Sequence, residues 1–214
     1  MRALILAAVL AAAATPALAE KTAPAGKVMP FLDKFLKVPP AERTRVKLNY
    51  AIRHDGQPMP NLKATLVEKN GTRTPLPVNA DGYFERLPTL AQLEAGADIV
   101  FDVPADWKMG TMMAFGAQLK PAAEYDAREL TATVNEANTV IGKAAGPMAF
   151  MAPKMSGVMF PKADAGVVVF ADGHTQPLPE EKENPYFRPA DFEGAVRVKL
   201  TKTPTKVALY GGKK

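Results

Sequence analysis

The clearest hydrophobic pattern runs from Arg45 to Ile52, where Val46, Leu48, Tyr50 and Ile52 alternate with Arg45, Lys47 and Asn49. Successive side chains of a strand point to opposite faces, so this spacing predicts a half-buried β-strand. Leu62, Ala64 and Leu66 keep the same two-residue period, and Gly166 to Phe170 is a continuous apolar run of strand length. Further strands are expected at 98–103, 109–119, 195–200 and 206–210. Helical spacing is rarer. Phe31, Leu32, Phe35 and Leu36 share one helical face between Pro30 and Val38, and Pro39-Pro40 ends it. Leu130, Val134, Ala137 and Ile141 do the same within Asp126 to Lys143, with Asp126 and Glu129 as cap and Gly146-Pro147 as stop. Leu130, Ala132 and Val134 also alternate as in a strand, and the threonines between them suit one; the segment is read as helix. A short helical turn is expected near Leu90 to Leu93.

These elements repeat. Thr65 to Arg86 reads TLVEKNGTRTPLPVNADGYFER and Val167 to Arg188 reads VVVFADGHTQPLPEEKENPYFR. Gly71, Pro75, Leu76 and Pro77 map onto Gly173, Pro177, Leu178 and Pro179 at a constant offset of 102, and Tyr83-Phe84 onto Tyr186-Phe187 at 103. Each block predicts a hairpin. Asn70-Gly71 and Asp172-Gly173 are favoured two-residue loops, in which both residues take positive φ. Prolines two apart on the outgoing strand project their missing N–H groups the same way, which makes that strand a sheet edge. The expected fold is mostly β with minor helix, two tandem β-sandwich-like units related by the repeat, at 27–120 and 124–214, with the boundary at Pro121 to Glu124.

Composition adds a location. Arg2, the apolar run Ala3 to Ala14 and Ala17-Leu18-Ala19 have the layout of a secretory signal peptide over residues 1–19, cleaved before Glu20. The apolar run is too short to span a bilayer, which takes roughly 20 residues, and no later stretch is apolar enough to span. A periplasmic or secreted protein, soluble after signal removal, is expected. With no cysteine it must hold together by packing alone. Twenty prolines in 214 residues argue for short, interrupted elements. The net charge of +5 is spread along the chain apart from the Lys213-Lys214 tail, and no basic stripe interleaved with aromatics suggests nucleic acid.

Candidate chemistry is sparse. His54 and His174 are the only histidines, both in polar loops, and no metal-ligand spacing surrounds them. The single serine, Ser156, lacks a nucleophile elbow. Seven of ten methionines fall between 109 and 159. Thioethers suit Cu(I), so Met148, Met151, Met155 and Met159 are the residues a copper site would use, although methionine more commonly fills cores. Recurrence of Tyr83-Phe84 and Tyr186-Phe187 fits a core anchor in each unit, which leaves Trp107 as the best-placed ligand-binding aromatic. No cofactor is called for. The sequence therefore reads as an exported, non-enzymatic binding or structural envelope module for a protein or glycan partner. Copper handling by methionines is the first alternative, and a hydrolase whose site assembles only in three dimensions is the second.

Overall fold

Three antiparallel sheets and one long helix carry the fold, as seen in a computed structural model that describes residues 20–211. The signal segment 1–19, its cleavage after Ala19 and the Lys213-Lys214 tail lie outside the described residues. The first half runs β1 (Lys21–Pro24), α1 (Ala25–Val28), α2 (Leu32–Lys37), β2 (Val46–His54), β3 (Gln57–Pro58), β4 (Ala64–Val67), β5 (Arg73–Pro75), α3 (Leu90–Glu94), β6 (Asp98–Phe101) and β7 (Met109–Ala117). The second half runs β8 (Glu124–Asp126), α4 (Ala127–Ala145), β9 (Gly157–Met159), β10 (Gly166–Phe170), β11 (Thr175–Pro177), β12 (Glu180–Glu181), β13 (Asn184–Phe187), β14 (Ala195–Leu200) and β15 (Ala208–Tyr210).

Each half contributes a four-stranded sheet, ordered β1-β6-β4-β5 in the first and β8-β14-β10-β11 in the second. The proline strands β5 and β11 are edges in both. Leu76 donates its N–H inward to the Ala64 carbonyl and Leu178 donates to Gly166, each at 2.9 Å. The flanking prolines therefore turn their nitrogens outward, where no ladder bond is lost.

The hairpin loops differ from the two-residue expectation. Glu68 donates to Thr72 across Lys69-Asn70-Gly71, and Phe170 donates to His174 across Ala171-Asp172-Gly173, so each loop has three residues. Gly71 (φ +85°) and Gly173 (φ +87°) alone take the left-handed conformation. Asn70 and Asp172 instead accept from the N–H two residues on with their side chains, Thr72 at 2.9 Å and His174 at 3.1 Å. This is a turn closed by a glycine bulge, the next most common hairpin after the two-residue kind.

The third sheet has seven strands in the order β12-β13-β9-β15-β7-β2-β3. It crosses the Pro121–Glu124 segment, because Ala208 of β15 pairs with Gly116 of β7. One buried cluster extends from Ala25 to Val207 through both halves.

Helices cover one face of this sheet. The side chain of Asp126 caps α4 by accepting from the Arg128 N–H at 2.7 Å, satisfying one of the donors a helix start leaves unpaired. Leu130, Val134, Ala137, Val140 and Ile141 form its buried stripe. At 19 residues, α4 is a larger helical element than a minor-helix reading implies. Arg45, just ahead of β2, binds it from the other half, donating to Glu129 (3.0 Å) and Glu136 (3.2 Å). Hydrogen bonds to both carboxylates raise the Arg45 pKa further. Among the described residues no helix is long and apolar enough to cross a membrane.

Candidate functional site

On the face of the seven-stranded sheet turned away from the helices, strands of the two halves lie side by side. Cross-strand partners lie on the same face, so Tyr186, Met159, Ala208, Gly116 and Lys47 form one row across β13, β9, β15, β7 and β2. The next positions on that face include the Asn49–Ala114 and Tyr210–Gly157 pairs. The alternate positions, among them Leu48, Val158 and Phe187, are buried on the helix side.

Small residues at Gly116, Ala114 and Ala208 lower the middle of this face into a groove of about 630 Å³. Asn49, Lys47, Lys206, Tyr83, Asn79 and Asp81 are among its lining residues. A Cβ on Gly116 would stand 2.5 Å from the Asn49 amide nitrogen, so the Asn49 side chain would have to move to admit one. The Lys206 ammonium lies 5.6 Å from the Tyr83 ring centre, within reach of a cation–π contact. Tyr83 is placed by a bridge to Ala51, and Asn79 accepts its N–H at 3.0 Å.

A second aromatic pair sits further along the same face. Tyr186 and Tyr210 stack with ring centres 4.5 Å apart, and the Arg188 guanidinium lies 5.6 Å from Tyr186. Tyr210 donates to Glu181 at 2.6 Å, and this bond holds its pKa up to about 12. Together these groups offer flat apolar surfaces, amide and carboxylate acceptors and ammonium donors on one open face.

The helix side holds a different cavity. Phe31, Met113, Phe115, Ile141, Met148 and Met151 are among the lining of an apolar cleft of about 280 Å³ between the end of α4 and the sheet.

The residues singled out from sequence do not assemble into one site. Trp107 is half-buried and stacks on His54 with ring centres 4.3 Å apart, while Lys21 donates to its carbonyl at 2.6 Å; it lines neither cavity. Of the methionines, Met148 and Met151 share the apolar cleft. Met155 is buried, and Met159 lies on the sheet's open face beside Tyr186. Among the described residues no three His, Cys, Asp or Glu side chains group to hold a metal.

Residues 30–161, more than half of the chain, match a family described as "Protein of unknown function (DUF2987)". The chain belongs to the DUF2987 family. The DUF2987 match runs from α2 to just past β9 and contains the whole lining of the apolar cleft. It contains the β2 and β7 side of the groove but not Thr205 to Leu209 on the other. No curated protein and no solved structure matches the chain.

Asn49, Gly116 and Lys206 escape a reading of the sequence because an alternating strand assigns its polar positions to solvent. A signal is present in the run Met112, Ala114, Gly116, where side chains shrink along one face of a strand. Such a gradient marks close approach by another group.

Proposed function

We propose that the protein is an exported, non-enzymatic binding module of the periplasm that holds an envelope glycan strand along the open face of its seven-stranded sheet. The observation that carries this reading is the groove lined by Gly116, Ala114, Ala208 and Tyr83, with the stacked Tyr186 and Tyr210 further along the same face. Sugar rings present an apolar face and a rim of hydroxyl groups. Tyr83, Tyr186 and Tyr210 supply flat apolar surfaces, and Asn49, Asn79, Asp81 and Lys47 supply donors and acceptors for the rim. Neighbouring strands lie about 4.8 Å apart, so a row from β13 to β2 suits an extended polymer better than a compact metabolite.

The two halves are read as copies of one unit. Equivalent sheet orders, Gly71 and Gly173 at matching φ, and the bonds from Leu76 and Leu178 support this beyond the sequence match. A groove at the junction of two copies offers related walls to a repeating polymer. The signal pattern at 1–19 supports export, and the sacculus is the glycan an exported envelope protein meets.

Co-sedimentation with purified peptidoglycan sacculi tests the proposal. The full chain is expected to pellet with sacculi, and Tyr83→Ala with Asn49→Ala is expected to weaken this by about tenfold or more, from one lost stacking surface and one lost polar partner. Sedimentation no greater than an unrelated basic protein's, or unchanged by the pair of substitutions, contradicts it.

A further inference from the structure

We propose that the segment from Gly146 to Pro153 is a membrane-contacting loop that sets Phe150 and Met151 into the headgroup layer of an anionic phospholipid bilayer. Phe150 is 85% exposed, Met151 72%, Met148 53% and Phe31 45%, and no other large hydrophobic among the described residues is as exposed. Single apolar side chains on a surface are ordinary. Here three of the four line the same cleft, and Phe150 stands between the two exposed methionines in sequence. A gathered patch of this kind marks an interaction surface.

The loop is built to present that patch. Ala144 to Pro153 contains no charged or hydrogen-bonding side chain. Gly146 and Pro147 end α4 and start a 3₁₀ turn through Met151. Below it, Asn138 holds the backbone of Met155. Phe31 adds a second apolar prong from α2. It is held at φ +66°, a backbone region costly for a bulky residue, while buried Tyr50 donates to the preceding Pro30 carbonyl at 2.6 Å.

Charge decides the occupant. Residues 137–163 contain no carboxylate and three lysines, Lys143, Lys154 and Lys162. Lys154 follows the apolar run, Lys143, which is paired with Glu42, precedes it, and Lys34 lies 5.3 Å from the Phe31 ring centre. Lys34 and Lys154 have no ion-pair partner among the described residues. Lysines flanking an exposed Phe and Met match the layered chemistry of an anionic bilayer, with phosphates outside and acyl chains beneath. Phe150 projects from a turn instead of lining a hollow, so it needs a medium that yields around it. A fluid lipid layer meets that need without shape complementarity. The apolar cleft beneath can receive the end of an acyl chain against Met113, Phe115 and Ile141. This surface lies on the helix side of the sheet, and the proposal stands independently of glycan binding on the other side.

Vesicle flotation with the full chain is the test, using phosphatidylcholine vesicles with and without phosphatidylglycerol. The protein is expected to float with the anionic vesicles and much less with the neutral ones. Phe150→Ser with Met151→Ser is expected to reduce flotation about tenfold or more, given the apolar area lost, and Lys154→Glu severalfold. Both substituted apolar side chains are exposed, so the fold should be retained, as a circular-dichroism melt would verify. As a second readout, Phe150→Trp in a Trp107→Phe background should shift its emission to the blue only with anionic vesicles. Absence of flotation, or equal flotation by the Ser variants, overturns the proposal. A dimer in sedimentation velocity that the Ser variants dissociate, without flotation, also overturns it and assigns the patch to self-association.

Discussion

The side-chain amide of Asn138 spans both polar groups of the Met155 backbone, donating to its carbonyl at 2.9 Å and accepting its N–H at 2.8 Å. This pair ties the exposed turn after α4 to the helix itself, just ahead of β9. Met155 is buried, so loss of the amide would strand two backbone groups away from water. Asn138→Ala should cost about 1–3 kcal/mol, read from the urea midpoint. Amide exchange should accelerate between Gly146 and Met155 before it does in β9.

Gly71 and Gly173 hold the same left-handed position in the two hairpins, and a Cβ at either would meet no heavy atom within 4 Å. Space permits alanine there, so conformation alone is the cost. Each Gly→Ala change should lower stability by about 1 kcal/mol. Because β15 joins β7 in one sheet and the core runs through both halves, each change should shift a single transition. Trp107 fluorescence and far-ultraviolet circular dichroism should give coincident curves for both variants.

Two other glycines should respond in opposite directions. A Cβ on Gly157 would stand 2.2 Å from the Phe187 carbonyl oxygen, a backbone atom that cannot step aside without breaking the β9–β13 pairing. Gly157→Ala should cost about 2–3 kcal/mol, as overpacking does. Gly142, inside α4, faces open space. Gly142→Ala should add up to about 1 kcal/mol by helix propensity. Chemical denaturation of both variants checks the pair.

Tyr210 carries a pH signature. Its bond to Glu181 favours the protonated phenol in the folded state, with a pKa of about 12 against about 10 for an unperturbed tyrosine. A folded pKa above the unfolded one contributes stability that is complete below about pH 10 and lost as pH rises through about 12. Burial also raises Tyr50 and Tyr125, so phenolate absorbance should show several late-titrating tyrosines, and Glu181→Gln should bring one of them back towards pH 10. An unchanged titration would show that the bond does not form in solution.

Much of the fold is legible in the sequence where side-chain period alone decides it. The alternation of Val46, Leu48, Tyr50 and Ile52 is β2, and the helical spacing of Leu130, Val134, Ala137 and Ile141 is the buried stripe of α4. Alternating prolines place β5 and β11 at sheet edges because a missing N–H is a local property. The seven-stranded sheet is not legible. It depends on the pairing of Ala208 with Gly116, residues far apart whose small size says only that something comes close. The Phe150 turn is hidden for a different reason. An uncharged run such as Met148-Ala149-Phe150-Met151 has the same composition whether a core covers it or solvent does, so its methionines read first as core filler and only second as metal ligands. The candidate groove is hidden likewise, since Asn49 and Lys47 look like any solvated strand face.

If the open sheet face holds a glycan strand, solubilised peptidoglycan fragments should change amide exchange along that face. Exchange should slow at Ala114 to Ala117, at Lys206 to Tyr210 and around Tyr83, with little change in α4 or the Gly146–Pro153 turn. Protection absent from β7 and β15, or confined to the helix side of the sheet, would contradict it.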